Sequence, residues 1–269
     1  MYDKSSVKKV RFPGSIARSP IAKLGIFVSA ALALTFLQFA SPAHAQEPLP
    51  PKAKVAVSIG YWSAAWWRWA ASFPLTDNPL VDTTGQFASL GNVGGPVFFG
   101  VVSSQPGSVT LTYTLPGGQY LLLPLYTYVW AYDDTCDNEK CARQIANAYV
   151  HAVTSLETTI DGRPVHHLFR HYETTPNVFT LNVVDNGIFG PTGGMFNAVS
   201  SGYWLMLEPL QPGRHVISTA VMAPYSSASS DGHVPGPAVL AQTTLILDVV
   251  CEHGDSGETN RCDRGERDQ

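Results

Sequence analysis

Basic residues are scarce in this chain. Lys and Arg number 17 against 21 Asp and Glu, and only 14% of all residues are charged. Residues 1–45 hold six of those 17 basic residues and one of the 21 acidic ones, so the remainder carries 11 against 20, a net of −9. An acidic chain without basic clusters argues against nucleic acid and against anionic membrane surfaces as partners. Familiar catalytic signatures are missing as well. There is no G-x-S-x-G elbow, no H-E-x-x-H, no G-x-x-x-x-G-K phosphate loop and no dinucleotide fingerprint. These absences lean the reading away from an enzyme, and nothing in the sequence calls for a cofactor. Cysteine is sparse too: Cys136, Cys141, Cys251 and Cys262 are the only four. Neither C-x4-C nor C-x10-C has the C-x2-C spacing of a zinc knuckle.

The basic residues of the N-terminus precede an apolar run, "LGIFVSAALALTFLQFA", Leu24 to Ala40, and then "SPAHA", ending at Ala45. Small residues at Ala43 and Ala45 predict a signal peptide, residues 1–45, cut before Gln46. The alternative is an uncleaved anchor, since the run is almost long enough to span a bilayer. With the segment cleaved, no stable membrane span remains, and the protein is exported to the periplasm or outside the cell. In that oxidising setting an even cysteine count reads as two disulfides, with Cys136–Cys141 and Cys251–Cys262 the preferred pairing of three.

Residues 46–54, "QEPLPPKAK", form a Pro-rich leader. A helix is expected next, since Trp62, Trp66, Trp69 and Phe73 share one face at 100° per residue while Trp67 falls off that stripe; Pro74 ends it. Strand patterns dominate afterwards. "SVTLTYTL" alternates Val109, Leu111, Tyr113 and Leu115 with Ser and Thr, as a half-buried antiparallel strand does. "QYLLLPLYTYVWAY" is apolar throughout and reads as buried on both faces, with Pro124 bending it or placing it at an edge. A second helix is predicted over "DNEKCARQIANAYVHAV", capped by Asp137 or Asn138. Further strands follow: "SLETTI", "PVHHLFRHY", "NVFTLNVV", "SGYWLML", "RHVISTAVM" and "TTLILDVV". The whole predicts a mainly β chain: one antiparallel β-sandwich or jelly-roll-like domain over residues 55–250 with two added helices. Residues 251–269 form a polar tail without aromatics, expected to be disordered.

"WWRWAASFPLTDNPLVDTTG", "GPVFFGV" and "TLPGGQYLLLPL", with "TTIDGRPV" and "GYWLMLEPLQPGRHVI" downstream, resemble a set of bacterial secreted proteins. Those proteins share a WWxWA helix, an NPLxDTTG segment, a GPVxF strand and a PGG-like turn. The resemblance covers most of the exported chain and implies secretion, but it carries no assigned activity and no site residue. The chain departs from that pattern at Ser201, where many of those proteins have aspartate.

Three groups remain as site candidates. Asp82, in "DTTG", lacks the D-[ST]-G spacing and the second lobe of an aspartic protease; its simplest role is an Asx-turn with Thr84 or Gly85. His167 and His171 share a face if their segment is a strand, with His166 opposite. They could serve an unrecognised hydrolase site together with Asp82, or lie at the surface beside Arg170. Ser227, Asp231 and His233 sit in one serine-rich loop and are better read as loop than as triad. Exposed aromatic rings could stack on sugars, and Trp67, Tyr61, Tyr203 and Trp204 are the candidates. The sequence therefore favours a non-enzymatic binder of a glycan or an envelope protein, with Trp67, Asp82, Tyr203 and Trp204 as ligand contacts. A secreted hydrolase or a structural envelope or matrix component are the alternatives.

Overall fold

The computed structural model describes residues 58–92, 95–103, 105–134, 136–224 and 235–251. The expected signal peptide and leader, the loop with Ser227, Asp231 and His233, and the tail with Cys262 lie outside the described residues.

Among the described residues ten strands form two sheets. In one, β1 (Val97–Phe99), β3 (Tyr120–Ala131), β8 (Gly194–Leu207) and β6 (Tyr172–Thr174) lie side by side, and β7 (Phe179–Val183) pairs with the first part of β8. The other runs β2 (Gly107–Pro116), β10 (Ala238–Val250), β9 (Gly213–Pro224), β4 (Ser155–Ile160), β5 (Arg163–Pro164). The fold is mainly β and sandwich-like, with two added helices, as the sequence predicts. Both sheets are mixed, however, because β1 runs parallel to β3 and β2 parallel to β10. The "SVTLTYTL" strand, expected to be antiparallel, is β2. The corner after Pro116 explains this: it carries the chain out of one sheet into the other rather than back along β2. "QPGR" does the same between β8 and β9.

The first sheet is covered on both sides and is called the inner sheet here. Helix α1 (Ile59–Ala71) lies on one face, where Trp69 packs on Phe99 and Trp66 on Trp204. The opposite face meets the second, outer sheet: Phe98 stacks on Tyr113, and the Tyr126 hydroxyl donates to the Pro224 carbonyl at 2.9 Å. Helix α2 (Glu139–His151) covers the rest of that face, with Tyr149 stacked on Tyr128 at 3.9 Å between centroids. Burial on both faces accounts for the unbroken apolar runs of β3 and of the later part of β8. Pro124 sits in β3 at a register shift, where it bends the strand as its missing N–H requires.

The outer sheet keeps one face in water. In β2 Leu111, Tyr113 and Leu115 are buried while Thr110, Thr112 and Thr114 are exposed, and β10 alternates likewise. Both helices begin as their caps dictate. The Ser58 hydroxyl accepts from the Tyr61 N–H, and Asn138 Oδ1 accepts from the Cys141 N–H at 3.0 Å. Helix α1 ends at Ala71, short of Pro74.

Candidate functional site

The tryptophans of α1 are a packing layer. Trp66 and Trp69 are buried, and Trp62 and Phe73 pack against the same core half-buried. Indole N–H groups of Trp66 and Trp69 donate to the carbonyls of Gly100 (2.9 Å) and Leu90 (2.6 Å). An indole removes roughly 150–250 Å² from water, on the order of 4–6 kcal/mol at about 25 cal/mol per Å² before ordering costs.

Three of the four expected ligand contacts are inside the molecule, which corrects the sequence reading. Trp67 is only 8% exposed; its indole stands edge-on to Trp66 at 5.0 Å and donates to Thr127 Oγ1 at 3.2 Å. Although off the apolar stripe, it is covered because α1 also packs on β7 and β8, and Phe189 closes over it. Trp204 is fully buried under α1, and Tyr203 lies on the opposite face of β8 beneath Phe169 and Tyr172. Gly202, just before them, has no room for a side chain, since a Cβ would lie 2.7 Å from Trp204 Nε1 and 2.8 Å from Thr127. None of these rings can stack on an external sugar. Tyr61, at 49% exposure, is the one candidate ring that faces water.

Asp82 organises its own turn. Its Oδ1 accepts from the Thr84 N–H and hydroxyl, both at 2.7 Å, and its Oδ2 from the N–H groups of Gly85 (2.9 Å) and Phe87 (3.0 Å). Partial burial pushes the carboxyl pKa up, but these hydrogen bonds together outweigh it and hold the group below its ordinary value. The turn in turn docks on β2. The Thr112 N–H donates to the Thr84 carbonyl at 2.8 Å, and Gly85, with φ +98°, lies so close that a Cβ would meet Thr112 O at 2.5 Å. Because β2 is an edge strand, "DTTG" satisfies backbone groups that an edge would otherwise offer to another chain.

The histidine segment is not a strand. After β5 the chain passes through His167 at φ +60° into a 3-10 turn, Leu168–His171, with Leu168 buried. This reversal removes the shared face expected for His167 and His171. His166 and His167 are exposed, 6.4 Å apart between ring centroids, whereas burial pushes the half-buried His171 imidazole pKa down. Nor does Asp82 meet His167. Its turn lies on β2 and His167 follows β5, the opposite edges of the outer sheet. Four strand steps at ~4.8 Å make roughly 19 Å, far beyond the reach of a general base.

Two polar constellations escaped the sequence reading. The carboxylate of Asp161, in the β4–β5 turn, lies 2.8 Å from His215 Nδ1 and accepts from the Val216 N–H at 2.8 Å, while His215 Nε2 lies 2.8 Å from the Gln211 carbonyl. Asp161-Gly162 has positive φ at both residues, the signal of a tight two-residue hairpin. The histidine 54 residues away left no local trace. Along α2, Asn147 Oδ1 accepts from Tyr172 (2.8 Å) and Ser201 (2.6 Å), and Arg143 bridges Glu139, Thr174 and the Thr175 carbonyl. The buried Ser201 hydroxyl donates to an amide rather than to an imidazole or carboxylate, so it is not an activated nucleophile.

Cys136 and Cys141 form a disulfide at the start of α2, which fits an oxidising compartment, and Cys251 is disulfide-bonded as well. Among the described residues no group of three or more His, Cys, Asp or Glu could hold a metal, and no helix is long and apolar enough to cross a membrane. No protein-family model matches the chain, and no curated protein does. Among solved structures, "Structure of PbICP-C in complex with falcipain-2" aligns at a TM-score of 0.22 and 13% identity, over 58% of this chain and 100% of that one. "Solution Structure of Amebosin" aligns at a TM-score of 0.16 and 13% identity, again over 58% and 100%. Likenesses this weak carry no argument about function.

Proposed function

We propose that the protein is exported and acts as a non-enzymatic binder of an extracellular or cell-envelope ligand, with a glycan the preferred class. The observation that carries this reading is the state of the candidate catalytic groups. Asp82 is saturated by its own turn, and His167 follows the strand at the far edge of the same sheet. The disulfide supports export, and the preference for glycans rests on exposed aromatic and loop surface such as Tyr61 and the segment around Phe169.

A glycan array probed with the exported chain tests it. Saturable binding without turnover is the expected result. Hydrolysis of an ester, glycoside or peptide panel that is abolished by Asp82→Asn or His167→Ala would overturn it in favour of the hydrolase.

A further inference from the structure

The segment Arg163–His171, "RPVHHLFRH", holds two arginines and three histidines in nine residues and no acidic residue. Arg163, His166, His167, Phe169 and Arg170 are all exposed, Phe169 at 48%. The segment is held in shape at three points. Asp161 ties its root to His215 and Val216, Leu168 plugs into the core, and the Phe169 ring stands edge-on to Tyr203 at 5.3 Å. Two of its acidic neighbours are withdrawn from it, while Glu157 on β4 stays exposed to water. Asp161 is engaged as described, and Glu173 is half-buried on β6, where burial pushes its carboxyl pKa up. A fixed cationic tip with an apolar centre thus projects from a chain that is acidic elsewhere.

We infer that this tip docks an acidic polysaccharide, an assignment that rests on the binding reading above and specifies its ligand and its site. Guanidinium groups match carboxylates in bidentate pairs, and the imidazoles add N–H donors. Phe169 offers a ring face to the C–H side of a sugar. Charge complementarity favours a thread-like polyanion over an anionic membrane. A chain of sugars can reach one loop, whereas a plane of lipid headgroups would bring the acidic remainder within a Debye length of about 8 Å.

Retention of the exported chain on immobilised polygalacturonate tests this, with neutral dextran and phosphatidylglycerol vesicles as the other arms. Binding to polygalacturonate that weakens with salt is expected, at least tenfold weaker in the double variant Arg163→Glu/Arg170→Glu. Phe169→Ser should weaken it several-fold, and Lys140→Glu, a charge reversal on α2, should leave it unchanged. Thermal melts establish that each variant is folded, and the Arg163→Lys/Arg170→Lys pair should retain most of the binding. If polygalacturonate binds both the parent and the glutamate variant equally, the tip assignment fails while the binding reading stands. Binding to dextran as strong as to polygalacturonate, or to vesicles in its place, overturns the acidic-polysaccharide assignment. No retention on any of the three probes overturns it too, and a blank glycan array would then remove the broader reading as well.

Discussion

The inner and outer sheets are written in different codes. Strand β3 and the later part of β8 in the inner sheet are apolar almost residue by residue, because α1 covers one face and the outer sheet with α2 the other. Strands β2 and β10 alternate, because water covers one face. The contrast explains the tryptophans of α1. A sheet already buried on one side needs a large apolar lid on the other, and four indoles on three helical turns supply it.

Trp66→Ala should show the difference most strongly. Loss of a fully enclosed indole costs about 3–5 kcal/mol, read as a lower urea midpoint. If it costs no more than Thr244→Ala on the wet face of β10, where about 0.5 kcal/mol or less is expected, the distinction between the sheets collapses. The Cys136→Ser/Cys141→Ser pair should cost about 2 kcal/mol, the loop-entropy value for a short loop, and should loosen α2 against the inner sheet. Amide exchange in α2, compared with that in β10, locates the change.

Asp82→Ala comes next, at about 1–2 kcal/mol, by analogy with the loss of a capping side chain. It tests whether the edge of the outer sheet depends on its turn, and size-exclusion chromatography should show new dimers as the β2 edge is freed. The sign of its pH dependence follows from the lowered carboxyl pKa. The folded state favours the ionised form, so the contribution is complete above the ordinary value of 3.8 and is lost as pH falls through the lower folded value. Denaturation curves of parent and Asp82→Asn should therefore converge in acid below that window. A constant gap between them from pH 6 down to the lowest pH at which the parent folds would contradict this. Thr244→Ala, the smallest effect, sets the baseline for the series.

What was legible in the sequence follows the same division. Alternation announced β2 and β10, and the stripe of Trp62, Trp66 and Trp69 announced α1. The apolar run of β3 announced a strand buried on both faces, and "SGYWLML" announced the later part of β8 as a strand. Parallel pairing could not be read, because whether Pro116–Gly118 closes a hairpin or turns a corner depends on distant strands. Trp67 was misplaced for a related reason: a single-faced helical stripe assumes one packing surface, and α1 has a sheet below it and Phe189 at its flank. The histidine segment failed as a strand because the left-handed His167 has no compositional signature; glycine or asparagine would have given one.

The pairing of β2 with β10 also bears on timing. Thr110 lies beside Thr244 in register, so two neighbours in the outer sheet are more than a hundred residues apart along the chain. Contacts so remote slow folding, since a long loop must close before they form. β10 is the last of the described strands, so the outer sheet cannot be completed until nearly the whole chain has been made, and that strand acts as the closing seam.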